Sequence, residues 1–340
     1  HPRQIEFARL GIDHTVLSKR KLRALIEGGY VYFTVKDVGY VNNDYKYAKL
    51  YPRFKLAGTS LTPFAFKKPV WLCLTNRMFA FRECKLGGVV MEGLHFLGNS
   101  NGGQALMDFT DNNIDSVRIE GCHFEGLRSQ LLQIAATDNV TFTDNTVTRC
   151  YAQGVNSIRS ADTEVTDNHF NDVGKGMSNS FCISCSGRNY LVRDNVICDF
   201  GYGGISVGVW YKTFKDMESS GAVAGNELYY TKNYFAHYKE YTIMDSGAIY
   251  AYSQNDRAVI CGNHIHDYTG MKDNRGIFLD DGACNVTVTG NVVRNVPNGW
   301  SIDSRRVKGI EKEQGSYLLH PNTGNIIESN DVDGKIRVEK

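Results

Sequence analysis

Residues 140–147 read VTFTDNTV, residues 163–170 read TEVTDNHF and residues 190–197 read YLVRDNVI. Each is a short alternating segment, then an Asp-Asn pair, then a second apolar residue two places on. Working outward from these three, the same pattern recurs as GVVMEGLHF, SVRIEGCHF, LYYTKNYF, AVICGNHI, VTVTGNVV and NIIESNDV. The copies anchor on Leu94, Cys122, Asn145, Asn168, Asn195, Asn233, Asn263, Asn291 and Asn330, spaced by 28, 23, 23, 27, 38, 30, 28 and 39 residues. The residue three before every anchor is apolar (Met91 and Phe142, for example), and so is the residue two after it (Phe96, Phe170 and others).

A period in the low twenties, built from short alternating strands and tight turns, is one coil of a parallel β-solenoid. A lone coil cannot bury its apolar side, whereas stacked coils form a continuous core. At a strand spacing of ~4.8 Å, nine coils make a rod on the order of 40 Å long. Asn at the turn tolerates the left-handed backbone region, and stacked Asn side chains can hydrogen-bond from coil to coil. These asparagines therefore read as scaffold and not as catalysts.

A further strand follows each anchor. Aligned on its inward residue it gives Leu132, Val155, Ile183, Ile205, Ile249 and Ile277, with Trp300 or Ile302 last. The next residue points outward (Gln133, Asn156, Ser184, Ser206, Tyr250, Phe278). So does the third along (Ala135, Ile158, Ser186, Gly208, Tyr252, Asp280). This face is small and polar in the middle coils, then aromatic and acidic in the later ones. Longer connections at 171–182, 208–227 and 267–275 wall it into a candidate groove, since loops carry function more often than scaffold.

Residues 1–85 show no repeat and read as a capping region, with the solenoid over 86–340. Ser18–Glu27 reads as a short helix that Gly28-Gly29 stops. Tyr30–Val41 and Trp71–Arg82 read as extra strands. The basic run Lys19, Arg20, Lys21, Arg23 reads as a solvated helix face. The net charge of +1 gives no general pull towards nucleic acid or anionic membrane, and neither is expected as a partner. No apolar run approaches the ~18 residues of a membrane span. The nine cysteines are odd in number and dispersed. The one CxxC, Cys182 to Cys185, falls within a strand where positions three apart diverge, so it reads as structural.

The chemistry concentrates in 245–281: DSGAIYAY, then VICGNHIHDY, then RGIFLDDG. Asp245, Asp280 and Asp281 are candidate catalytic carboxylates. Asp280-Asp281-Gly282 also reads as an ordinary turn. Asp245 precedes its strand while Asp280 and Asp281 end theirs, so their convergence depends on the loop at 239–246. Tyr250, Tyr252 and Trp210, beside Tyr211, are candidate sugar-stacking platforms. His264 and His266 flank an inward Ile265 and face out, where they can contact substrate or orient a carboxylate, and an exposed solenoid face explains them as well; His-x-His followed by Asp267 is by itself a weak metal pattern, and no metal is expected. Arg275 and Lys272 stand beside the acidic cluster.

DSGAIYAY, NHIHDY and GIFLDDG together resemble the β-helix glycosidases exemplified by glycoside hydrolase family 141, which includes α-L-fucosidase and xylanase activities. The family carries a DTGAIY-like and a GIYLDDG-like segment, and Ser246 stands here where its Thr would be. The wider resemblance, over about 88–338, is to right-handed parallel β-helices. It implies an all-β fold of about nine or more coils and a pair of catalytic aspartates, Asp245 with Asp280 or Asp281.

Three functions remain open on these residues. A glycoside hydrolase acting on a plant or host polysaccharide or oligosaccharide needs paired carboxyl groups and no cofactor. A polysaccharide lyase would remove a proton beside a uronate with an Arg or Lys base, often with Ca²⁺. A non-catalytic carbohydrate-binding or adhesive solenoid would need neither. All three imply a carbohydrate partner and a secreted, periplasmic or cell-surface location.

Overall fold

The computed structural model describes residues 37–38, 52–53, 79–81, 85–97, 105–110, 113–127, 129–174, 180–209, 219–231, 246–253, 257–268, 274–280, 282–296, 299–305 and 324–339. The described residues form a right-handed parallel β-helix with three parallel sheets. Sheet 1 holds nine strands from Val89–Glu92 to Ile326–Glu328. Sheet 2 holds nine from His95–Leu97 to Asp331–Val332. Sheet 3 holds ten from Phe79–Phe81 to Lys335–Val338. The expected helix at 18–27 and strand at 30–41 lie almost wholly outside the described residues. From them the structure shows Asp37–Val38, paired antiparallel with Pro52–Arg53. From 71–82 it shows Phe79–Phe81, the first strand of sheet 3.

The core is the stack of inward residues. In sheet 3, Leu132, Val155, Ile183, Ile205, Ile249, Ile277 and Ile302 lie in one register and are all fully buried. Ile302, not Trp300, therefore continues the row. Ile336, its register partner in the last described strand, is 45% exposed. That contrast shows what stacking supplies: an inward side chain is covered only when coils lie on both sides of it.

The anchors form the expected ladder with two corrections. Asn226, not Asn233, occupies the rung between Asn195 and Asn263. It accepts from the Asn195 backbone N–H at 3.0 Å and carboxamide at 2.9 Å, and donates to the Asn263 carboxamide oxygen at 2.9 Å. Asn233 itself lies outside the described residues. The copy in this coil is thus AVAGNELYY, with Val223 and Leu228 inward. LYYTKNYF imitates the pattern because Tyr and Phe are apolar enough to satisfy it at the wrong offset.

The second correction concerns the left-handed residue. It is the one before the anchor (Gly93, Gly121, Asp144, Asp167, Asp194, Gly225, Gly262, Gly290 and Ser329, at φ between 52 and 65°) and not the anchor itself. The turn is made there, so the Asn side chain is free to point along the stack. It runs unbroken from the Cys122 N–H, which donates to Asn145 at 2.9 Å, to Asn330. A ladder this complete satisfies buried turn amides that have no sheet partner.

Candidate functional site

Sheet 3 carries the candidate groove. The outward row Gln133, Asn156, Ser184, Ser206, Tyr250, Phe278, Asp303 is confirmed by register. Its exposure changes along the rod. Gln133 and Asn156 are half-buried and hydrogen-bonded to each other at 2.8 Å. From Ser184 onward every member is buried, down to Phe278 and Asp303 with no exposure. The later coils are therefore covered on their outer side and do not form an open trough.

Two segments of the motif explain themselves as scaffold. The residue before each inward Ile is small: Gly204, Ala248, Gly276, Ser301. A Cβ on Gly276 would come within 2.6 Å of the Ser301 carbonyl oxygen and 2.7 Å of Val293 Cγ1. The corner between sheets 2 and 3 leaves no room there. Ala248-Ile249 of GAIY and Gly276-Ile277 of GIFL are thus what this coil geometry demands. Ser246 belongs with them. It is fully buried, and its hydroxyl donates to the Tyr202 carbonyl and contacts the Tyr268 hydroxyl at 3.0 Å. Burial pushes the Tyr268 phenol well above its ordinary range, so it stays a neutral member of that network.

What scaffold does not demand is a carboxylate beside a phenol. Asp280 ends its strand in register with Tyr252. It is 8% exposed, and the Tyr250 hydroxyl donates to its Oδ2 at 2.8 Å. Tyr250 packs against Tyr252, Phe278 and Phe181, with ring centroids 5.6, 5.3 and 5.8 Å away. The turn reading also holds: the Ala283 N–H donates to the Asp280 carbonyl at 3.0 Å, and Gly282 takes φ 79°. The turn uses Asp280's backbone and leaves its carboxylate to Tyr250. Next along the row, Ser206 is 1% exposed, and its hydroxyl has no hydrogen-bond partner among the described residues. A buried hydroxyl without a partner costs about 1–3 kcal/mol. The sequence places Ser206 on the outward row and shows nothing more, because serine is unexceptional there.

Asp245, Asp281, Trp210, Tyr211 and Lys272 lie outside the described residues. Ser246 starts the strand in register with Asn274, six residues from the level of Tyr252 and Asp280. At ~3.3 Å per residue the two ends of these strands are about 20 Å apart. Arg275 is 3% exposed. Its Nε donates to Asp303 Oδ2 at 2.9 Å, and its guanidinium lies 4.2 Å from the Phe278 ring centroid. Arg305 and Arg337 converge on the same carboxylate at 3.1 and 2.6 Å, and those bonds raise the Arg337 pKa above its ordinary value. Arg275 is thus tied into a buried arginine–aspartate cluster. Asp303 was hidden in the sequence because Trp300 and Ile302 competed for the inward position.

His264 and His266 face out as expected, from sheet 2. They lie on a different face of the solenoid from Asp280. Glu227, their neighbour on the preceding strand, joins them. It was missed because anchoring that coil on Asn233 placed the wrong residue beside His264. A second His-Glu group, His95, His123 and Glu125, lies near the other end of the same sheet. The CxxC thiols are free and buried. Desolvation pushes Cys185 up to about 12 and Cys182 well above its ordinary value, which removes both from nucleophilic or redox chemistry at neutral pH.

Fold and site together define a right-handed parallel β-helix with an acidic and aromatic stretch on one sheet. Residues 76–197 match the family model described as right handed beta helix region. No curated protein and no solved structure matches the chain. That family is compatible with carbohydrate-active enzymes and equally with binding or adhesive proteins. No helix among the described residues is long and apolar enough to cross a membrane.

Proposed function

We propose that the protein is a glycoside hydrolase acting on a polysaccharide or oligosaccharide, with Asp280 as one of its two working carboxyl groups. The observation that carries this reading is the 2.8 Å hydrogen bond from Tyr250 to the nearly buried Asp280 on the outward face of sheet 3. A phenol donating to a carboxylate steadies its negative charge and fixes its orientation. That suits the member of the pair that attacks the sugar or activates water. The partner, which protonates the leaving oxygen, is Asp281 or Asp245. The ~20 Å between the two ends of these strands favours Asp281, because working pairs stand only about 5–10 Å apart. Tyr252, half-buried beside Tyr250, supplies a face for a sugar ring. The resemblance of the DSGAIYAY and GIFLDDG segments to family 141 glycosidases supports the same chemistry.

The test is turnover on a broad glycan panel, read by new reducing ends and by near-ultraviolet absorbance. A hydrolase yields reducing ends without an unsaturated, absorbing product. Asp280→Asn is expected to lower kcat by at least 10³-fold while the fold stays intact. Full activity of Asp280→Asn would refute the assignment. An absorbing product would point to a lyase. Glycan binding without turnover would point to a binding solenoid.

A further inference from the structure

We infer that Glu227, His264 and His266 form a surface site for a Zn²⁺-like divalent transition-metal ion, on a face of the solenoid separate from the glycosidase site. The placement follows from strand geometry. His264 and His266 are two apart on one strand, so both imidazoles leave the same face while Ile265 between them is fully buried. Glu227 is the register partner of His264 on the adjacent strand. Its Oε1 stands 3.3 Å from His266 Nε2 and 3.9 Å from His264 Nδ1. The three donor atoms lie within 4.8 Å of one another.

Those separations fit a metal. Four ligands at ~2.0–2.1 Å in tetrahedral array have donor–donor distances of roughly 3.3–3.4 Å. One edge is already at that length, and the second is about half an ångström longer. Side-chain rotation closes the rest, because the groups are partly exposed. Two imidazoles and a carboxylate provide three protein ligands and leave a fourth position to water.

The surroundings of His266 are those of a supported ligand. Its Nδ1 is 3.1 Å from Asp267 Oδ2, and Asp267 is itself held by the Asn295 carboxamide at 2.7 Å. A proton on Nδ1 shared with Asp267 leaves the Nε2 lone pair facing Glu227, the tautomer that metal-bound histidines adopt. Tyr229 stacks on the His266 ring, with centroids 4.9 Å apart and planes within 7°, and limits its rotation. The cation nearest in register is Arg294. It is turned away to Asp331, donating to that residue's carbonyl at 2.7 Å and to its carboxylate at 2.5 Å.

The other His-Glu group on this sheet makes the contrast. Glu125, beside His95 and His123, is already engaged by the Arg149 guanidinium. That places a fixed positive charge on the carboxylate, at Oε1, while both histidines face Oε2. Among the described residues the Glu227 carboxylate has no such cation on it, and its His266 has the added support of Asp267 and Tyr229. An ion there would join successive coils through groups 39 residues apart in sequence.

The experiment is calorimetric titration of ZnCl₂ into the chelator-treated full-length chain, with circular dichroism to verify folding of each variant. One equivalent is expected to bind at micromolar Kd or tighter. Glu227→Gln and His264→Ala are each expected to weaken it by at least 100-fold. Asp267→Asn, which alters only the support of His266, is expected to weaken it about 10- to 100-fold. His123→Ala is expected to leave it unchanged. Absence of a bound equivalent would overturn the proposal. So would zinc binding that His264→Ala and Glu227→Gln leave intact. All the substituted side chains are at least partly exposed, so the variants test binding and not folding.

Discussion

Replacing Asn195 by Ala removes one rung from the middle of the asparagine ladder. Its carboxamide oxygen accepts from the Asn168 backbone N–H at 3.0 Å and the Asn168 Nδ2 at 2.9 Å. Its Nδ2 donates to the Val165 carbonyl at 2.8 Å and the Asn226 Oδ1 at 2.9 Å. Two of the partners keep a second bond: Asn168 Nδ2 to the Phe142 carbonyl and Asn226 Oδ1 to the Asn195 N–H. The Asn168 N–H loses this acceptor in a site with no solvent, since Asn195 and Asn226 are at most 1% exposed. A stranded buried donor costs about 1–3 kcal/mol and each of the three further net bonds about 1 kcal/mol, so the loss should total about 4–6 kcal/mol. Asn330 makes the same kind of contacts, receiving from Asn291 at 3.0 and 2.9 Å. It is only half-buried, so water can replace what Asn330→Ala removes, and that change should cost about 1 kcal/mol. Urea denaturation of both variants, with hydrogen exchange over 140–170 as a local probe, reads the difference. A cost below about 1 kcal/mol for Asn195→Ala, or equal costs for the two variants, would refute the argument that the ladder stabilises by satisfying groups water cannot reach.

Two further outcomes follow from the same packing. Gly276→Val should destabilise the protein by more than about 2 kcal/mol or prevent folding. Its Cβ would meet the Ser301 carbonyl oxygen at 2.6 Å, and backbone in a close-packed corner cannot yield cheaply; soluble expression and thermal denaturation check it. Stability should also fall as pH rises above about 9. The Cys185 and Cys150 thiols are pushed up to about 12 by desolvation from a reference of 9.0. Below pH 9 both states hold the protons and these groups contribute no slope. Between about 9 and 12 the unfolded chain has lost protons that the folded chain retains, so stability is lost with rising pH. Cys185→Ala should make that decline shallower, measured as urea midpoint against pH.

How much was legible in the sequence varied with how local the determinant was. The apolar positions around Asn145, Asn168 and Asn195 are set by alternation within a few residues, and the coils appear in the structure at that register. The outward row through Tyr250 and Phe278 was legible for the same reason. Where an insertion separates coils, alternation within a segment no longer says which Asn is the rung. The pattern read from LYYTKNYF anchors that coil on Asn233, where the structure has Asn226, and that offset hid Glu227. Cross-strand partners a whole coil apart, such as Tyr250 with Asp280 and Arg275 with Asp303, 30 and 28 residues apart, carry no pattern that one strand can display.

The sequence by itself therefore determined the solenoid, its period, its core and the structural role of its asparagines, because a coil's inside and outside are written in single-residue alternation. Only the tertiary structure decided which coil meets which. That stacking put Asp280 against Tyr250, set Ser206 beside them, committed Arg275 to Asp303 and brought Glu227 beside the two histidines. Each of these depends on register between strands, which the physics of neighbouring coils settles and no single segment records.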